Sequence, residues 1–155
     1  MKKQLNNASL EETADYIEKL VPSICHWFTV DDLVYLKRGG RVSPATALVG
    51  NILGIKPILH VDDEGHLIKV STIRGRKQSI AALADKYSEL ATGAEDGIYM
   101  ITHGDCLEDA KRLEAILKDR TGQDATLIAD VGPVIGSHSG PGTLALFFVG
   151  KLIDP

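Results

Sequence analysis

The stretch from Val131 to Gly150 constrains this chain most. It holds no Asp, Glu, Lys or Arg, and it splits into a glycine- and proline-rich half and an apolar half. The first half reads Gly132-Pro133-Val134-Ile135-Gly136-Ser137-His138-Ser139-Gly140-Pro141-Gly142. Glycines there permit positive φ and close backbone approach, and prolines stiffen the same segment. The second half, Thr143 to Gly150, reads as a buried strand. A rigid loop thus holds one imidazole between two hydroxyls at the mouth of an apolar region. Residue chemistry leaves two readings open. One is a site for the polar head of a small molecule with a greasy body. The other is a tight turn whose histidine is satisfied locally.

The remaining elements follow from caps and periodicity. Ser9 with Glu12 makes a capping box, and Leu10, Ala14, Ile17 and Leu20 share one face of the helix it opens. Pro22 marks its exit, and Ile24 to Val30 reads as a strand. Thr29 with Asp32 forms a second capping box for a short helix through Leu36, which Gly39 and Gly40 end. Ser43 before Pro44 starts a third helix that stops at Gly54. Pro57–Val61 and His66–Ile73 flank the turn Asp62-Asp63-Glu64-Gly65, so the pair is a hairpin. Ile80, Leu83, Ala84, Tyr87 and Leu90 form a helical stripe. Gly97–Thr102 is a strand. Asp105 then caps a helix with Leu107, Ala110, Leu113 and Leu117 inward, and Gly122 ends it. Ala125–Val131 is the next strand, parallel to the one before and reached by a right-handed crossover. Val134 to Gly136 extends or restarts that strand before the Ser-His-Ser loop. The fold class is α/β, a mixed sheet covered by helices.

A length of 155 residues suits one domain with a real core. The net charge of -4 argues against general nucleic-acid binding. Cys25 and Cys106 match no metal or redox spacing and read as free thiols of a reducing compartment. No apolar run is long enough to span a bilayer. Lys2 and Lys3, without an apolar core behind them, do not read as the start of a signal peptide. The expected location is cytoplasmic.

Several motifs occur in a fixed order. His26-Trp27-Phe28-Thr29-Val30-Asp31-Asp32-Leu33 precedes Tyr35-Leu36-Lys37-Arg38-Gly39-Gly40-Arg41-Val42. Gly54-Ile55-Lys56-Pro57-Ile58-Leu59 leads into the hairpin and Arg74-Gly75-Arg76-Lys77, and the Ser-His-Ser segment closes the series. In this order they resemble the C-terminal domain of the DegV family, bacterial fatty-acid-binding proteins. The likeness covers nearly the whole chain from about residue 10. It implies a DegV-like C-terminal fold over residues 9–155, with residues 1–8 as a tail or remnant of an inter-domain segment. By this resemblance the family's N-terminal domain, which in the family carries hydroxyl residues that grip the lipid carboxylate, is expected to be missing from the stretch given by residues 1–155. The resemblance implies a non-enzymatic carrier of a long-chain fatty acid, with no other cofactor and no metal. It also implies two partners: a separate fatty acid kinase, and the chain's own N-terminal domain in a full-length form.

Candidate residues follow. In the family the histidine at the position of His138 joins the hydrogen-bond network around the acyl carboxylate. Ser137 and Ser139 add hydroxyls. An arginine of the Lys37-Arg38-Gly39-Gly40-Arg41 motif serves the same network in the family, and a guanidinium fork matches a carboxylate. Arg41 leads a loop toward the site. Arg38 either joins it or complements the dipole at a helix end. Lys69, Arg74, Arg76 and Lys77 form a local basic patch, with no acid between Gly65 and Asp85. The patch is either a solvated face or a docking surface for an acidic partner. The resemblance places kinase contact nearby, with Arg74 the first to test. His26, His60, His66 and His103 read as surface or turn histidines. Two other functions stay open. One is a hydrolase or transferase with His138 as base and Arg41 as anion clamp. The other is a protein-interaction domain built on the basic patch.

Overall fold

The computed structural model describes residues 8–43, 54–92 and 98–151. Among them, six strands form one sheet. These are β1 (Ile24–Thr29), β2 (Ile55–Val61), β3 (Leu67–Arg74), β4 (Tyr99–His103), β5 (Leu127–Asp130) and β6 (Leu144–Val149). The helices are α1 (Leu10–Leu20), α2 (Val34–Arg38), α3 (Arg76–Leu90), α4 (Leu107–Thr121) and α5 (Pro133–Ser139). The strand order is β3-β2-β1-β6-β4-β5. β4 and β5 pair in parallel, and the other neighbours are antiparallel. Parallel pairing needs a long crossover, which the 15-residue α4 supplies. The fold is therefore α/β with a mixed sheet. The apolar half of the uncharged stretch becomes β6, an inner strand between β1 and β4. Its residues are all buried or half-buried, where an unpaired charge is costly.

Strand alternation sorts the side chains onto two faces. Trp27, Ile58, Tyr99, Ile101, Leu146 and Phe148 point to one face, against Ile80, Leu83 and Tyr87 of α3 and Leu113 and Leu117 of α4. The Tyr87 ring meets Tyr99 and Phe148 edge-on, at centroid distances of 5.7 and 5.0 Å. Phe28, Leu59 and Ala145 point to the other face, with Val30, Leu33, Leu36 and Val42 around them. No long helix among the described residues covers that second face. It is the face that carries the site.

Three expectations change. The Ser-His-Ser segment is neither loop nor strand extension but the helix α5. Pro133 takes the first helical position after Gly132, where its locked φ and missing N–H do no harm. α2 starts at Val34, not at a Thr29 cap. Val34 N–H donates to Asp32 Oδ1 at 2.7 Å, while Thr29 ends β1. Asp105 does not cap α4. It sits at a φ of 52°, and Cys106 is the N-cap residue, its side chain making no capping hydrogen bond. The capping box of α1 forms as read, with bonds of 2.8 and 3.1 Å between Ser9 and Glu12. Its apolar stripe, however, is not buried: Leu10 is 81% and Ile17 54% exposed. The helix read from Ser43-Pro44 to Gly54 lies outside the described residues.

Candidate functional site

Helix α5 carries His138 in its last turn. Two serines tie off its carbonyls: Ser137 Oγ donates to Val134 O at 2.8 Å, and Ser139 Oγ donates to Ile135 O at 2.9 Å. Gly140 ends the helix at a φ of 79°, a region that disfavours a side chain. Its Cα also backs onto the Tyr35 ring, where a Cβ would collide. Beyond it, Thr143 Oγ1 donates to Gly140 O at 2.7 Å, and Gly142 N–H donates to Gly104 O at 2.7 Å. These bonds fasten α5 to the ends of β4 and β6.

Helix α2 lies against α5. Gly39 follows α2, and a Cβ there would occupy the place of His138 Nδ1. Arg41 Nη1 donates to the Gly39 carbonyl at 2.6 Å. One glycine thus touches the imidazole with its Cα and holds the guanidinium with its oxygen. His138 is half-buried, and no hydrogen bond from the described residues takes up its ring.

His138 and Arg41 open onto one cleft of about 450 Å³. Phe28, Ala145 and Phe147 form its apolar floor on the second face of the sheet. Val134 and Ile135 of α5 form one wall, and Val61 and Leu67 of the hairpin form the other. Ser139, Thr102 and Thr143 add hydroxyls. The arrangement offers a greasy trough with a cation and an imidazole at its polar part. It suits a carboxylate on an apolar body.

The other candidates fall elsewhere. Ser137 and Arg38 are exposed and do not line the cleft. Arg38 stands in the last turn of α2, where a cation complements the helix dipole. The basic patch divides. Arg74 and Lys77 are exposed, and Lys69 is partly covered. Arg76 turns inward, with Nε 2.8 Å from Asp109 Oδ2, Nη1 3.9 Å from Asp31 Oδ1, and Nη2 donating to Cys106 Sγ at 3.6 Å. Burial pushes the Cys106 thiol up, so it is a poor nucleophile at neutral pH. His103, read as a surface or turn histidine, is instead buried, with Nδ1 3.4 Å from Asp130 Oδ1. Asp62, Glu64 and His66 bring ligand atoms within 4.8 Å of one another at the hairpin tip. There Asp62 Oδ1 already accepts from His66 N–H at 2.7 Å.

Sequence reasoning missed Thr102, Thr143 and His26 as cleft residues. The signal was present for His26. Period-two alternation sets His26 and Phe28 on one face and Cys25 and Trp27 on the other. Which face bears the cleft is a tertiary fact.

The model of the family described as "Uncharacterised protein, DegV family" matches residues 2–151. The chain belongs to the DegV family. A DegV domain-containing protein of Clostridium perfringens is 40% identical over 147 residues, 95% of this chain and 50% of that protein. The chain spans about half the length of the curated DegV relatives it matches. Among solved DegV structures, a fatty-acid-binding protein of Streptococcus agalactiae is 29% identical with a TM-score of 0.76, covering 97% of this chain and 53% of that one. A DegV protein of Eubacterium eligens loaded with heptadecanoic acid shares the fold at a TM-score of 0.84 and 20% identity, covering 97% and 54%. The fatty acid kinase B3 protein of Streptococcus pneumoniae, loaded with linoleic acid, does so at 0.82 and 17%, covering 97% and 53%. No helix among the described residues is long and apolar enough to cross a membrane.

Proposed function

We propose that this chain is the cleft-bearing part of a non-enzymatic fatty-acid carrier. The acyl chain lies on Phe28, Ala145 and Phe147, and the carboxylate is received by His138 and Arg41 with Ser139 beside them. The observation that carries this reading is the convergence of His138 and Arg41, distant in sequence, on one apolar cleft. Each methylene removed from water contributes about 0.8 kcal/mol. A carboxylate entering the same place is costly without partners, and the imidazole-guanidinium pair offsets that cost. Ser137 supports the site from inside α5, and Arg38 serves the end of α2.

The carrier presents its ligand to a separate fatty acid kinase, which phosphorylates the carboxylate. Exposed Arg74 and Lys77 are the docking cations, while Arg76 acts on the fold. A domain of the kind that fills the other half of the relatives would close the open side of the cleft. The place of work is the cytoplasm, where the acyl phosphate would be formed.

The test is titration with a fluorescent long-chain fatty acid, together with mass spectrometry of lipid extracted from the purified chain. His138→Ala and Arg41→Ala should each weaken binding about tenfold, the worth of one charge-assisted hydrogen bond. Arg74→Ala should leave binding unchanged and reduce acyl phosphate formation when kinase is added. Unchanged affinity in both cleft variants would refute the assignment.

A further inference from the structure

We propose that His26 is a specificity-determining residue that selects acyl chains carrying a hydroxyl near their middle. The proposal rests on the fatty-acid reading above and deepens it. β-Sheet register puts His26 directly beside Phe147, and their rings meet edge-on at 5.3 Å. Both line the cleft. Phe147 stands four residues along the chain from Thr143, which lies beside the polar end formed by α5. At about 3.3 Å per residue that separation is roughly 13 Å. An extended alkyl chain has bond lengths and angles close to those of a peptide backbone, which spends three bonds per residue. The same distance therefore takes about ten to twelve carbons. A ligand whose carboxylate meets His138 lays that part of its chain over His26.

The imidazole is out of place there. Its neighbours on the floor and the hairpin wall are Phe28, Phe147 and Val61. It is half-buried, and no hydrogen bond from the described residues reaches its ring. Burial lowers its pKa below the ordinary histidine value. At neutral pH the ring is uncharged and carries one donor and one acceptor. A plain methylene chain strips water from those nitrogens and returns nothing, which is unfavourable. A hydroxyl at the same point restores a hydrogen bond while the rest of the chain keeps its apolar contact. A site built to hydrogen-bond a hydroxyl discriminates against the analogue that lacks it.

The experiment compares stearic, 2-hydroxystearic and 12-hydroxystearic acids in competition with a fluorescent fatty acid. It uses the full chain and its His26→Leu and His26→Gln variants. The wild type should prefer 12-hydroxystearic over stearic acid about five- to tenfold, the worth of one net hydrogen bond. His26→Leu should abolish that preference and tighten stearic acid, and His26→Gln should keep the preference. The 2-hydroxy acid, whose mid-chain is also plain methylene, should follow stearic acid in both variants and show no mid-chain preference of its own. A wild type without the mid-chain preference, or one whose preference survives His26→Leu, overturns the assignment while the carrier reading stands. Failure of the wild type to bind any of the three acids overturns both.

Discussion

Gly39 joins the two halves of the site. Its φ is -77°, so no left-handed geometry demands a glycine there. What demands it is the imidazole of His138, whose Nδ1 occupies the space of a side chain. The same residue holds Arg41 through its carbonyl. Alanine at this position suits the helical backbone better than glycine, by up to about 1 kcal/mol. The substitution therefore separates stability from site geometry. Gly39→Ala should weaken fatty-acid binding about tenfold or more by displacing the ring. The urea midpoint should move little, because His138 is half-buried and can swing toward the open cleft. A titration curve unchanged from wild type would mean that the imidazole position is irrelevant to binding.

At the level of elements, the junction of α3 and α4 decides what the basic patch is. Read along the sequence, Arg74, Arg76 and Lys77 form one cluster. In the fold, Arg76 opens α3 and faces the first turn of α4, where it meets Asp109. The side chains are 18% and 22% exposed, and Arg112 also reaches Asp109 at 3.5 Å. Breaking a mostly but not fully buried pair with a second cation nearby costs less than breaking a fully buried one. Arg76→Met should lower unfolding stability by about 1–3 kcal/mol, measured in urea. Arg74→Ala and Lys77→Ala should stay within about 0.5 kcal/mol. Equal effects at all three positions would mean that the ion pair does not fasten the helices. The same contrast marks where sequence reading stops. The hairpin, the parallel β4-α4-β5 unit and the Ser9 cap were legible because they depend on neighbours in sequence. Helix α5 was not. Its Gly, Ser and Pro content argues for a loop, and tertiary contact with α2 overrides that weak preference. Asp105 takes its left-handed position beside Gly104, which is woven to Thr143 and Gly142, and a cap reading from local residues could not anticipate that. His138 and Arg41 were legible as candidates from their motifs. Their meeting was expected from the family resemblance alone, since residue chemistry does not say how α2 and α5 pack. His26 was legible as to strand face but not as to which face would be hollow.

For the whole molecule, the sheet divides the work. One face is sealed by α3 and α4 around a large apolar core, and the other is hollowed into the cleft. Changes on the sealed face should register in stability and leave the cleft alone. Tyr99 tests this. It is fully buried on the sealed face and donates its hydroxyl to Gln123 O at 2.9 Å. Burial, with the Glu114 and Asp124 carboxylates adding to it, pushes its ionisation up to about 12. In the unfolded chain a tyrosine ionises near pH 10. Between those values the unfolded state releases a proton that the folded state keeps. Stability therefore falls as pH rises from 10 toward 12, and below 10 this group adds no pH dependence. At pH 11 the loss from Tyr99 should be about 1 kcal/mol. Tyr99→Phe removes that component, so the wild type should lose more stability than the variant between pH 9 and pH 11 in urea unfolding. Tyr87, whose ionisation burial also raises, remains in both proteins and cancels from the comparison. Fatty-acid affinity at neutral pH should be the same in wild type and variant, because the phenol points into the helical layer. A variant that loses binding together with its alkaline transition would show that the two faces of the sheet are one cooperative unit, and that the cleft is held open by the core behind it.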